Sequence, residues 1–177
     1  MIQTIDPGRP VTGEYQDYFD TYISLVEEGN ILEILEEQIT TIAEMLAAVP
    51  DSQLDCLHEP YTWTIKQVIG HCVDTERIFG YRACRFAAND PTPVPGFDQD
   101  TYVDNTDYQG VSLEALIQEL LLARQANLAM LKRQTQDAWL RTGTADGKTM
   151  SVRAAAYVMA GHIIHHFKII EKRLASG

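Results

Sequence analysis

Four stretches of this 177-residue chain carry apolar residues at three- and four-residue spacing, a period that lines them up on one face of an α-helix. The first runs Ile31, Ile34, Leu35, Ile39, Ile42, Met45 and Leu46 and stops before Pro50. Asn30 precedes it as an N-cap with Glu33 three residues on, the pattern of a capping box. The second opens at Thr64 with Gln67 as its reciprocal cap. It carries Val68, Ile69, Cys72, Ile78, Phe79 and Phe86 and ends at Asn89-Asp90-Pro91. Ser112 caps the third, striped by Leu113, Leu116, Ile117, Leu120, Leu121, Leu128 and Leu131. Ser151 or Thr149 can cap the fourth, which runs to about Leu174 and frays into Ala175-Ser176-Gly177. A shorter helical segment, Tyr15 to Val26, comes before them and is broken by Glu27-Glu28-Gly29-Asn30. With no alternating strand pattern, these stripes predict an all-α four-helix bundle, one domain over 1–177 with its core at about 15–175.

The connection from Asn89 to Val111 holds Pro91, Pro93, Pro95, Gly96 and Gly110 and shows no helical period. It is far longer than the usual bundle loop of about 2 to 8 residues. A helix of about 24 residues is roughly 36 Å long, so a connection of this length can cross the bundle end to end and let helices two and three run parallel.

Composition narrows the function classes. With 45% apolar residues the chain can bury a substantial core, but its apolar run Ala154 to Ile164 is interrupted by Gly161 and His162 and falls short of a membrane span. The segment Met1 to Val11 carries Asp6, Pro7, Gly8 and Pro10 in place of a basic region followed by an apolar one, so a cytoplasmic location is expected. Cys56, Cys72 and Cys84 are odd in number and form no C-x-x-C pair, which predicts reduced thiols. A net charge of −11 would repel a phosphate backbone, so nucleic acid is not an expected partner.

Three of the five histidines crowd into Gly161-His162-Ile163-Ile164-His165-His166-Phe167. His162 and His166, at i and i+4, share a helix face and can point two imidazoles at one spot. His165 lies on the neighbouring flank, where it can meet a carboxylate or a partner chain. His71 is the candidate third ligand, on the inward stripe about 7 residues, roughly 10 Å, into helix two. His166 lies at a comparable depth from the end of helix four, so the two depths match if those helices are antiparallel. Three imidazoles leave coordination positions open for water or substrate, as in catalytic zinc sites. The expected cofactor is one divalent ion, zinc, nickel, manganese or iron, among which the ligand type does not choose.

The chain resembles the DinB-like superfamily, and within it the YfiT-like branch of metal-dependent hydrolases and bacillithiol transferases. The resemblance covers nearly the whole chain from about Tyr15. It rests on Trp63-Thr64-Ile65-Lys66-Gln67-Val68 leading to His71, on Asp74-Thr75-Glu76-Arg77, on Pro93-Val94-Pro95-Gly96-Phe97-Asp98, and on the final His162 to His166 cluster. It implies an up-down-down-up bundle, metal ligands His71, His162 and His166, and a homodimer.

Asp74, one turn beyond His71, can fix an imidazole tautomer or act as a base, or be a solvated carboxylate. Arg77, Arg82 and Arg85 can meet a substrate carboxylate or pair with acids on adjacent helices. Trp63 is expected to pack a bundle end; Phe97, Asp98 and Tyr102 lie on the long crossover, where loops tend to carry function, and the resemblance implies that this segment passes near the metal. Cys72 points about 100° away from His71 and is expected in the core, while His58 is assigned no role. The expected function is transfer of a low-molecular-weight thiol to an electrophilic small molecule. A hydrolase using metal-activated water is the alternative, and a non-catalytic metal-binding or regulatory module is the reading from another class.

Overall fold

The computed structural model describes residues 5–176, so the ends of the expected 1–177 domain lie outside the described residues. A 3-10 turn, Asp17–Phe19, and a short helix α1, Asp20–Ile23, precede the first long helix α2, Ile31–Ala47. Asn30 caps α2 by accepting from the Leu32 amide and not that of Glu33, and among the described residues Glu33 makes no return bond, so a simple cap stands where the box was expected. After α3, Asp51–Leu54, comes α4, Ile65–Ala87, whose start is the full reciprocal box of Thr64 and Gln67. Ser112 caps α6, Leu113–Lys132, as expected.

Two sequence expectations are corrected. The crossover contains a helix, α5 (Gln99–Asn105), because the Asp98 carboxylate accepts from the Asp100 and Thr101 amides and starts it. After α7, Gln136–Leu140, the chain forms an antiparallel hairpin of β1, Thr142–Ala145, and β2, Lys148–Ser151. Asp146 and Gly147 both have positive φ, 52° and 69°, the two-residue turn whose twist suits a tight hairpin. The Asp-Gly pair was the available signal, and four-residue strands were too short to show a period. The last helix, α8, covers Val152–Ser176 and so continues past Leu174; its cap is Ser151, the last residue of β2, which accepts from the Ala154 amide, whereas Thr149 lies two residues further back in the strand.

Cross-helix pairs fix the directions. Gln38 of α2 meets Arg124 of α6 while Glu36 meets Lys132, so α2 and α6 are antiparallel. Arg77 pairs with Glu119, and Gly80 lies against Asn127, so α4 and α6 are parallel across the crossover. His71 faces His162 while the carbonyl of Trp63, just before α4, receives Arg173, so α4 and α8 are antiparallel. The bundle is therefore up-down-down-up. Among the described residues no helix is long and apolar enough to cross a membrane.

The core has two apolar layers. Ile31, Leu35, Phe79, Phe86, Leu131 and Trp139 belong to one, and Ile42, Leu46, Ile69, Leu116, Phe167 and Ile170 to the other. Each such side chain contributes roughly 1.5–3 kcal/mol by leaving water. Between the layers every long helix places a buried polar residue on its apolar face: Gln38, Glu76, Arg124 and His162.

Candidate metal centre

His71 projects from α4, and His162 and His166 from one face of α8, so the antiparallel pair brings all three to the same depth. The Nε2 of His162 lies 3.0 Å from that of His71 and 3.1 Å from that of His166. A neutral ring nitrogen carries one N–H or one in-plane lone pair. His162 Nε2 can therefore satisfy one of these neighbours by hydrogen bonding and not both. An ion accepting one lone pair from each nitrogen resolves that conflict, and zinc–nitrogen bonds of about 2.0–2.1 Å would space the nitrogens roughly 3.4 Å apart. The donor set thus fits a metal ion, which these three residues could hold.

Electrostatics keeps the lone pairs available. Burial pushes the His71 imidazole down to about 4. Burial, followed by the neighbouring charges of His166 and His71, holds His162 well below the usual range, and burial with His71 does the same to His166. Neutral imidazole is the metal-binding form.

A cavity of about 320 Å³ opens on His71 and His162. Along α4 its wall is the stripe His71, Thr75, Phe79 and Arg82, spaced four, four and three residues. Phe19 and Tyr22 come from the N-terminal segment, Phe97 from the crossover, and Asp146 and Met150 from the hairpin that sequence reasoning missed. The crossover is stitched to that hairpin, with the Val94 amide donating to Thr144 O at 2.8 Å and the Asp146 amide to Val94 O at 3.0 Å. A second cavity of about 300 Å³ meets the centre from the His166 side, between Trp63, Asp100 and Arg173, and Gln99 borders both. The Nδ1 of His166 is buried without a hydrogen-bond partner among the described residues.

The height of α8 is set by the polar layer. Arg124 donates through Nε and Nη2 to both oxygens of Glu76, at 2.9 and 2.8 Å, and through Nη1 to Gln38 at 2.6 Å. Its Nη2 also donates to Met159 O, and Gln38 Nε2 donates to Ala160 O at 3.0 Å, two residues before His162. Asn127 adds a bond to Glu76. Glu76 entered the sequence analysis only within the Asp74-Thr75-Glu76-Arg77 motif, without a role, and the other three did not enter it; the signal was a polar residue on an otherwise apolar stripe, as at Leu120, Arg124 and Leu128.

Gly161 lets α1 approach this point. A Cβ there would lie 2.0 Å from the Tyr22 carbonyl oxygen, and the Tyr22 ring packs on His162 and His165 with centroids 5.2 and 5.3 Å away. Gly161→Ala is therefore expected to destabilise the protein by about 1–3 kcal/mol, the cost of overpacking a core. Urea denaturation monitored by circular dichroism measures it, and an unchanged midpoint would refute the contact.

The other sequence candidates separate clearly. Asp74 is directed away from the imidazoles: its carboxylate accepts from the Tyr108 hydroxyl and lies 3.9 Å from Arg77, because Gly70 leaves room for the Tyr108 ring beside α4. Arg77 pairs with Glu119 and Arg85 with Asp90, whereas Arg82 turns into the first cavity without an ion pair. Trp63 closes one end of the site, its ring 5.0 Å from His71, and also walls the second cavity. Phe97 lines the first cavity; Asp98 is used as the α5 cap, and Tyr102 packs on Phe97 from outside. Cys72 is in the core, all three cysteines are free, and His58 bonds to Gln53 and Arg173. Among the described residues His165 meets Tyr22 and His166 and no carboxylate.

Known proteins agree with this architecture. No curated protein sequence matches the chain. Among solved structures, YfiT from Bacillus subtilis superposes with a TM-score of 0.72 at 17% identity, covering 86% of this chain and 95% of that one. It is described as a probable metal-dependent hydrolase with an unusual four-helix bundle topology. A mycothiol-dependent maleylpyruvate isomerase superposes with a TM-score of 0.61 at 17% identity, over 81% of this chain and 61% of that one. A histidine-to-alanine mutant of such an isomerase gives 0.62 at 16% identity, over the same shares. At these identities the likeness speaks for the fold. The DinB superfamily model matches residues 34–170, which takes in all of α4 and α6 and every histidine of the centre, and the chain therefore belongs to the DinB superfamily.

Proposed function

We propose that this protein is a metal-dependent enzyme that transfers a low-molecular-weight thiol to an electrophilic small molecule, with His71, His162 and His166 as the metal ligands. The observation that carries the reading is three neutral imidazoles converging at a cavity of ligand size. A divalent ion held there supplies a positive charge that favours thiolate over thiol at neutral pH. In the transfer the S–H bond breaks and an S–C bond forms, and the proton leaves with the displaced group or returns to the adduct. The chain's part is to hold and shield: Phe19, Phe79 and Phe97 form an apolar wall, and Trp63 stands against His71 on the other side. The mycothiol dependence of the isomerase that shares this fold points the same way.

Hydrolysis is the second reading. Asp74 and Asp98, the carboxylates that could have served as its base, are committed to Tyr108 and to the α5 cap. Asp146, which lines the cavity, is the carboxylate that favours it, together with the description of YfiT. A non-catalytic module would be favoured by a fourth protein ligand, whereas the described residues bring three together.

The test is to incubate metal-loaded protein with bacillithiol, mycothiol, glutathione or cysteine and a chromogenic electrophile, beside His162→Ala. The expected result is conjugation by the wild type and a rate in the variant equal to that without protein. Equal rates for every thiol would reject thiol transfer, and thiol-independent cleavage of esters or amides would move the assignment to hydrolysis.

A further inference from the structure

Arg82 is the buried cation that the fold leaves uncompensated inside the cavity. Arg82 is 3% exposed, yet among the described residues its Nε has no hydrogen-bond partner and its one hydrogen bond is a long one, 3.4 Å, from Nη2 to Pro95 O. The guanidinium lies 4.8 Å from the centre of the Phe79 ring and 5.9 Å from that of Phe97. Asp146 acts on it through space but forms no ion pair with it, unlike the carboxylates that meet Arg77, Arg85, Arg124 and Arg153. Burying an unpaired charge is costly, so a cation kept this way at a cavity wall is a site awaiting its anion. Thr75, one turn beyond His71 on the same stripe, adds a second unspent group: its hydroxyl is buried without a partner among the described residues.

We infer that Arg82 anchors the carboxylate of an extended small-molecule monoanion whose other end reaches the histidine centre, with Thr75 bonding the ligand between them. The inference rests on the reading of this cavity as the substrate site and adds what the substrate must carry. A guanidinium fork matches a carboxylate in two places. One negative charge suffices, because Lys148 and Asp146 on the same wall offset each other and a dianion would face Asp146. From His71 to Arg82 the helix rises about 16 Å, and an arginine side chain leans back toward the helix N-terminus, leaving a gap on the order of 10 Å. The ligand is therefore long enough to hold its acid and its metal-seeking group well apart.

Cobalt-loaded protein tests this through the thiolate-to-cobalt charge-transfer band, a readout that needs no turnover. Mercaptohexanoate is expected to bind at least about tenfold tighter than mercaptohexanol, a difference of about 1.4 kcal/mol. Thioglycolate, too short to reach Arg82, is expected to gain nothing over mercaptoethanol. Arg82→Gln is expected to erase the preference for mercaptohexanoate and leave mercaptohexanol unchanged, and Arg82→Lys to keep part of it. A preference that survives Arg82→Gln, or one of equal size for the short and long acids of the wild type, overturns the proposal; the second comparison holds even if the variant does not fold. Calorimetry of hexanoate on metal-free His162→Ala protein, with and without Arg82→Gln, separates the two readings. Failure to bind cobalt would reject the metal centre, while hexanoate binding lost on Arg82→Gln would still support the anchor and hexanoate binding unaffected by it would reject the anchor.

Discussion

His162→Ala is expected to reduce the metal content of the purified protein from about one ion per chain to background. His162 is the centre of the triad, since its Nε2 is the one within hydrogen-bonding distance of both other ring nitrogens. Structural zinc sites bind with an apparent free energy of about 10–16 kcal/mol shared over four ligands, or roughly 2.5–4 kcal/mol for each. Removing one should weaken binding by roughly two to three powers of ten. His71→Ala and His166→Ala should lose the ion as well, while His58→Ala keeps it, because His58 lies in a loop, bonded to Gln53 of α3 and Arg173 of α8. Elemental analysis after purification without a nickel column and dialysis against a weak chelator gives the answer. No metal in the wild type, or full occupancy in His162→Ala and His166→Ala, would refute the centre.

The second large effect falls on stability. Arg124→Met and Glu76→Ala are each expected to cost about 3–5 kcal/mol, the penalty for stranding one charge of a buried pair. Both side chains are essentially inaccessible, 0% and 1% exposed, and the fork of Arg124 meets both carboxylate oxygens. Against a total stability of about 5–15 kcal/mol, such a loss should lower the melting temperature by roughly 6–20 °C in a chain of this size. Replacing both partners together, Glu76→Leu with Arg124→Met, should recover much of the loss, because no charge is then left alone. Thermal and urea denaturation measure all three variants. A single variant within about 1 kcal/mol of wild type would show that the pair is solvated or replaceable. Since the same network holds the Met159 and Ala160 carbonyls one turn before the histidine pair, the single variants should also bind metal more weakly.

Much of this molecule was written in local pattern. The four stripes, the Thr64–Gln67 box and the Ser112 cap determined where the long helices lie, because helical period and capping depend on residues within a turn or two. The i, i+4 spacing determined that His162 and His166 share a face, and the length of the Asn89 to Val111 connection allowed the parallel α4 and α6 seen in the fold. Local pattern did not decide the partners of side chains across the bundle. Asp74 turned to Tyr108, Arg82 stayed unpaired while Arg77 and Arg85 found acids, and Glu76, Arg124 and Gln38 met in a buried layer from positions up to 86 residues apart. The hairpin that walls the cavity escaped notice because two four-residue strands gain their order from pairing and from Val94, not from their own periodicity. A sequence determines a helix through neighbours in the chain, whereas a site depends on the height and rotation at which helices pack, and those are set only when distant groups exclude water together.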